Sequence, residues 1–88
     1  MLTTQCTIVN AKGMHARAAA EVVKLAECYQ SNITIKHQGK QVSADNLLNL
    51  LTLAANCGKT VEITADGPDE KQAIAALENL FHQGFYEA

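Results

Sequence analysis

The stretch TVEITADGPDEKQAIAAL, Thr60 to Leu77, joins a strand pattern directly to a helix pattern. In its first part apolar residues alternate with polar ones, which is the period of a strand with one covered face. The apolar positions are Val61, Ile63 and Ala65, and the polar ones are Glu62 and Thr64. Because strands of a doubly wound sheet are apolar on both faces, this alternation predicts an antiparallel or mixed sheet that is covered on one face only.

After the breaker DGPDE, which places acidic residues in the first turn of a helix, apolar residues recur at helical spacing as far as Gly84. The predicted inward residues of this last helix are Ala73, Ile74, Leu77, Leu80 and Phe81.

The residues before this stretch predict five further elements by the same two periods. These are a strand at Thr3–Val9, a helix at Ala16–Glu27, a hairpin that turns at Gln38-Gly39 and carries Ile33, Ile35 and Val42, and a leucine-rich helix capped by Asp45 or Asn46 and ended by Gly58. The predicted inward stripes are Ala19, Val22, Val23 and Ala26 in the first helix and Leu50, Leu53, Ala54 and Cys57 in the second. The predicted fold is therefore α+β, in the order β-α-β-β-α-β-α.

Length and composition indicate a small globular protein. The chain has 88 residues, 48% hydrophobic and 18% charged, which predicts one domain over residues 1–88. The formal net charge is −2 and the basic residues are dispersed, so neither nucleic acid nor an anionic membrane is an expected partner. With no basic leader and no apolar run near the roughly 18 residues that span a bilayer, we expect a cytoplasmic protein without membrane insertion.

The three cysteines, Cys6, Cys28 and Cys57, are widely spaced and form no CxxC pair. This pattern predicts reduced thiols rather than a disulfide framework or a zinc site. Apolar neighbours predict burial of Cys6 and Cys57, whereas Cys28 falls at a helix end and is expected to be accessible.

One histidine, His15, stands directly before an alanine-rich run in GMHARAAAEVVK, Gly13 to Lys24. If the helix begins at Ala16, the ring lies at the N-cap beside the orphan amides of Ala16, Arg17 and Ala18. Those amides and the helix dipole favour an anion, and the same positive end favours the neutral, nucleophilic imidazole. Arg17 adds a planar fork of donors that suits phosphate oxygens. This combination indicates transient phosphorylation of His15, on Nδ1 because that atom lies nearer the main chain.

Taken alone, the GxHxR pattern is weak, because a histidine in this position can simply cap the helix. The other histidines, His37 near the hairpin turn and His82 on the last helix, are interpreted as surface residues without a role. No ligand cluster or pair of carboxylates supports a metal-dependent enzyme, so we predict no metal and no cofactor.

Two stretches, GMHARAAAEVVKLA at 13–26 and TVEITADGPDEKQAIAAL at 60–77, resemble HPr, the histidine-containing phosphocarrier family of the bacterial phosphotransferase system. The resemblance covers essentially the whole chain. It implies an open-faced β-sandwich, with a four-stranded antiparallel sheet and three helices on one face. It also implies a carrier rather than an enzyme with turnover. His15 would accept a phosphoryl group on Nδ1 from Enzyme I, itself charged by phosphoenolpyruvate, and pass it to an Enzyme IIA component, with Arg17 as the family's neighbouring arginine.

The second helix has more leucine than one buried face requires, since Leu47, Leu48 and Leu51 lie outside its predicted stripe. From the residues alone, this surplus fits a partner surface and a wide core contact equally. The resemblance favours docking, because members of the family bind partners through this helix and through the exposed side of the first helix, here Arg17, Ala20 and Lys24.

Two positions depart from the family. Ala18 replaces the usual proline, so the first turn gains an amide and loses some rigidity. Asn46 replaces the regulatory serine of many members; asparagine caps a helix but accepts no phosphate, and the nearest hydroxyl, Ser43, is interpreted as a plain strand residue. The sugar-uptake branch and the nitrogen-related branch of the NPr subgroup both stay open, with the departures favouring a regulatory role.

A second hypothesis is a regulatory module of the same fold that docks without carrying phosphate. The presence of both His15 and Arg17 favours the carrier, and we expect it to be a monomer.

Overall fold

The computed structural model describes residues 1–86 and shows the predicted order of elements. The elements are β1 (Leu2–Thr7), α1 (Ala16–Ala26), β2 (Asn32–His37), β3 (Lys40–Ser43), α2 (Leu47–Leu51), β4 (Thr60–Asp66) and α3 (Glu70–His82), followed by a 3₁₀ turn at Gly84–Tyr86. The last two residues of the predicted domain, 87 and 88, lie outside the described part of the chain.

The four strands form one sheet in the order β1-β4-β2-β3, and every neighbouring pair is antiparallel. Of the two arrangements that the sequence allowed, the structure therefore has the antiparallel one. The register sets Ile63 of β4 beside Ile35 of β2, which in turn faces Val42 of β3. All three side chains are buried, so one face of the sheet is apolar, as the alternation predicted.

The helices α1 and α3 supply most of the opposite side of the core. The predicted stripe of α3 is buried throughout. In α1, Ala19, Val22 and Ala26 are buried as predicted, whereas Val23 is only half-buried. Ala18 is fully buried instead. The helix is thus turned slightly from the predicted orientation, with Ala18 facing the core and Val23 at its margin.

The second helix is much shorter than predicted. It ends at Leu51 rather than near Cys57, and Ala54 adopts a left-handed backbone conformation with φ of 53°. Leu50 and Leu53 are buried as predicted, but Ala54 and Cys57 are exposed. Because helical spacing stops at the end of the helix, the predicted positions of Ala54 and Cys57 in an inward stripe were wrong.

The cysteines follow the prediction at two of three positions. Cys6 is buried, and burial, with a smaller contribution from the Glu78 carboxylate, raises the pKa of its thiol to about 11. Cys28 is exposed, and its Sγ donates to the Lys24 carbonyl oxygen at 3.4 Å. Cys57, predicted to be buried, is exposed because it lies in the irregular segment that follows α2.

The described helices are all short or amphipathic. Within residues 1–86, none has both the length and the apolar character needed to cross a membrane.

Candidate functional site

His15 is the N-cap residue of α1, with an extended backbone at φ −91° and ψ −177°. The first intrahelical bond runs from the Ala19 amide to the His15 carbonyl oxygen at 2.9 Å. The helix therefore begins at Ala16, as predicted, and the amides of Ala16, Arg17 and Ala18 belong to its first turn.

The ring of His15 is turned toward this first turn. Its Nδ1 accepts a long hydrogen bond from the Arg17 amide, with 3.3 Å between the two nitrogens. An imidazole nitrogen that accepts a hydrogen bond carries a lone pair, so a neutral ring in this pose holds its proton on Nε2. The lone pair that could attack a phosphorus atom is thus on Nδ1, directed at amides that suit phosphoryl oxygens.

The loop before His15 is anchored to the segment that follows α2. Met14 donates its amide to the Ala55 carbonyl oxygen at 2.9 Å, and the Asn10 side-chain amide donates to the Gly13 carbonyl oxygen at 2.8 Å. Gly13 has φ of 67°, and a Cβ at this position would lie 2.8 Å from the Ala55 oxygen. Only glycine meets both requirements. No role was predicted for Gly13 from the sequence, although a glycine just before a helix is a recognisable signal.

The predicted docking residues differ in exposure. Leu48 is 72% exposed and Leu47 39%, whereas Leu51 is half-buried and packs against the core. On α1, Ala20 is half-buried, and the exposed Lys24 places its Nζ 3.7 Å from the Glu21 carboxylate. The helices α1 and α2 contact each other.

Asn46 is the N-cap of α2, and its Oδ1 accepts from the Asn49 amide at 3.0 Å. Of the two predicted candidates for this cap, the structure therefore selects Asn46. Ser43 lies at the end of β3 and donates its hydroxyl to the Asp45 carboxylate at 2.6 Å.

The two remaining histidines differ. His82 is exposed at the end of α3, as predicted. His37, interpreted as a surface residue, is buried, with its Nδ1 2.9 Å from the Leu53 carbonyl oxygen. The reason is strand periodicity: His37 shares the inward face of β2 with Ile33 and Ile35. This contact ties the hairpin to the chain that leaves α2.

Within the described residues, no group of three or more His, Cys, Asp or Glu is placed to hold a metal ion. The described site brings together the His15 ring, the first-turn amides of α1 and the exposed Arg17 side chain.

We expect Ala18→Pro to leave the fold intact, because the amide at Ala18 precedes the first intrahelical bond. We expect the variant to lose less than about 1 kcal/mol of unfolding free energy. A loss of this size lowers the melting temperature of a small domain by about 5 °C. Thermal denaturation followed by circular dichroism measures it. A larger fall would show that the buried first turn cannot accept the ring.

Comparison with known proteins gives consistent matches over nearly the whole chain. The family model described as "PTS HPr component phosphorylation site" matches residues 2–83. Phosphocarrier protein HPr of Cupriavidus necator is 40% identical over 87 residues, covering 99% of this chain and 98% of that protein. Phosphocarrier protein NPr of Proteus mirabilis is 41% identical over 81 residues, covering 91% and 90%.

The same likeness holds in three dimensions. The crystal structure of HPr-C-His from Thermoanaerobacter tengcongensis superposes with a TM-score of 0.95 at 34% identity, covering 100% of this chain and 99% of that one. This structural likeness agrees with the open-faced β-sandwich that the sequence resemblance implied. On the family match, the identities and the fold together, the chain belongs to the HPr family and is a phosphocarrier of the phosphotransferase system rather than an enzyme.

Proposed function

We propose that His15 takes up a phosphoryl group on Nδ1 from Enzyme I and passes it to an Enzyme IIA-type acceptor. The observation that carries this proposal is the pose of the ring, whose Nδ1 faces the Arg17 amide at 3.3 Å. In the forward step a bond forms between phosphorus and Nδ1 while the bond between phosphorus and the donor breaks. In the second step a bond forms between phosphorus and the acceptor while the bond between phosphorus and Nδ1 breaks.

The first turn of α1 supplies the phosphate-binding groups. We assign the backbone amides of Ala16, Arg17 and Ala18 to the phosphoryl oxygens, which would replace the weak contact between the Arg17 amide and Nδ1. The helix dipole adds to their effect, because it is positive at this end. Compared with proline at the same position, Ala18 contributes an additional N–H donor.

Partner proteins are proposed to dock on the exposed parts of α1 and α2. The surface consists of Ala20, Lys24, Leu47, Leu48 and Leu51, with Leu48 the most exposed of its leucines. Leu51 contributes only its outer edge, because much of its side chain packs against the core.

Residues 1–88 are proposed to form one domain that acts as a monomer in the cytoplasm.

Asn46 favours a regulatory, nitrogen-related branch, since it caps α2 but offers no hydroxyl for a serine kinase. Transfer from the phosphorylated chain to Enzyme IIA proteins of both branches would test this. Faster transfer to the sugar-branch acceptor would contradict it.

The proposed carrier function is tested by incubating the chain with phosphoenolpyruvate and Enzyme I and measuring its intact mass. We expect a gain of one phosphoryl group that is lost in acid and retained in base, as is typical of phosphohistidine. An unchanged mass, with Enzyme I shown to be active, would favour the alternative of a module that docks without carrying phosphate.

We expect Arg17→Ala to slow phosphoryl transfer about ten- to hundred-fold, the equivalent of one charge-assisted contact to phosphate. Part of this contact also stabilises the phosphorylated ground state, which reduces the effect on rate. Stopped-flow transfer assays measure it, with Lys36→Ala as a control for the loss of an exposed positive charge. Arg17→Lys tests whether the planar fork matters. Unchanged transfer in Arg17→Ala would remove this residue from the site.

A further inference from the structure

A surface cavity of about 450 Å³ lies beside the proposed phosphoryl site. Its walls are the loop residues 9–12 after β1, Arg17 on α1, and residues 82–84 at the end of α3. Its volume is in the range of about 300–1,000 Å³ that is typical of small-molecule sites, so it has room for more than a single phosphate ion.

The charge of this cavity is opposite to that of the whole chain. Lys12 and Arg17 bring positive charge to it from two separate elements, His82 adds a hydrogen-bonding ring from a third, and none of its described lining residues is acidic. The chain as a whole carries a formal net charge of −2. A concave site lined by one sign of charge attracts the opposite sign, so the expected ligand is a small anion.

The walls are held in place by contacts within the protein. The Asn10 side chain fixes the turn that carries Lys12, through its 2.8 Å hydrogen bond to the Gly13 carbonyl oxygen. At the opposite wall, the rings of Phe81 and Phe85 meet edge to face, with centroids 4.7 Å apart. This contact secures the end of α3 that carries His82. The cavity is therefore preformed, which lowers the cost of binding.

We propose that this cavity binds a small phosphomonoester, whose phosphate lies among Lys12, Arg17 and His82. Since Arg17 also belongs to the proposed phosphoryl site, the ligand and a phosphoryl group on His15 would share one guanidinium. Two anions that share one guanidinium lie close enough to repel each other. Occupancy of the cavity is thus expected to oppose phosphorylation of His15, a regulation that rests on the proposed function through the role of Arg17.

Binding is tested on the unphosphorylated chain by nuclear magnetic resonance titration with glycerol 3-phosphate. Glycerol serves as the uncharged control, and inorganic phosphate tests whether the ester part contributes. We expect saturable shifts in the amides of Lys12, Gln83 and Gly84. Lys12→Ala and His82→Gln are each expected to weaken binding about three- to ten-fold, since each removes one exposed hydrogen-bonding contact to the phosphate. The matched control is Lys40→Ala, an exposed lysine at the hairpin.

The outcomes separate this proposal from the carrier function. Shifts confined to the amides of Ala16, Arg17 and Ala18, and insensitive to Lys12→Ala, would overturn the cavity as a site and leave the phosphoryl site supported. Absence of saturable binding would also overturn it. The intact-mass assay with Enzyme I reports the carrier function independently.

The regulatory part is tested by following phosphoryl uptake with and without glycerol 3-phosphate. We expect the ester to slow uptake by the native chain and to slow it less in Lys12→Ala. Equal slowing of both chains would place the effect on Enzyme I and contradict regulation through the cavity.

Discussion

His15→Ala is expected to take up no phosphoryl group from Enzyme I and phosphoenolpyruvate. The proposed reaction needs the Nδ1 lone pair, and alanine offers no nucleophile. The His15 ring is also the one directed at the first-turn amides, at 3.3 Å from the Arg17 nitrogen. Intact mass measures the loss, and Lys36→Ala, which changes an exposed residue of β2, is expected to retain full labelling.

The N-cap position of His15 makes a second variant necessary. Loss of a capping side chain typically costs about 0.5–2 kcal/mol of stability, so alanine could reduce labelling by unfolding the helix. His15→Asn keeps a capping acceptor and is expected to be folded but unlabelled. Circular dichroism melts verify the fold of both variants. A phosphoryl group found on either variant would place the acceptor elsewhere and overturn the proposed site.

The sheet and two of its covering helices were predictable because their patterns are local. Alternation in β4 fixes which residues point inward, and the spacing of Ile74, Leu77 and Phe81 fixes the inner face of α3. The same reasoning located the start of α1. Since an N-cap histidine needs only its own helix to meet the first-turn amides, the central geometry of the candidate site followed from that boundary.

The predicted end of α2 was wrong because sequence spacing assumes that the helix continues. Thr52 donates its hydroxyl to the Asn49 carbonyl oxygen at 2.6 Å, and Ala54 turns left-handed two residues later. Neither threonine nor alanine is a recognised signal for the end of a helix. The exposure of Cys57 follows from this early end.

Contacts between distant parts of the chain were also beyond local patterns. Asp69, predicted as a first-turn acid, accepts from the Ser31 hydroxyl at 2.5 Å and the Gln30 amide at 2.8 Å. The hydrogen bond from Ser31 is the main reason that the pKa of Asp69 is lowered. The cavity beside Arg17 also depends on distant parts of the chain, because α3 packs on β1 and both Lys12 and His82 line the cavity.

Leu48→Glu is expected to lose partner binding and Leu50→Ala to lose stability, although the two positions lie two residues apart on α2. Leu50 is fully buried, so its truncation is expected to cost about 2–5 kcal/mol of the free energy of unfolding. Leu48 is 72% exposed, so a charge there leaves the core untouched. Burying a leucine at an interface contributes about 1.5–3 kcal/mol, and its replacement by glutamate is therefore expected to weaken Enzyme I binding at least about ten-fold.

Circular dichroism melts and binding titrations on both variants separate a core role from a docking role. Leu48→Glu is expected to melt close to the native chain and bind weakly. Leu50→Ala is expected to melt well below it and, at a temperature where it remains folded, to bind with nearly native affinity, because its side chain never reaches the surface. Loss of fold in Leu48→Glu would assign this leucine to the core. Native affinity of Leu48→Glu would move the docking surface away from α2, since no other leucine on this helix is as exposed.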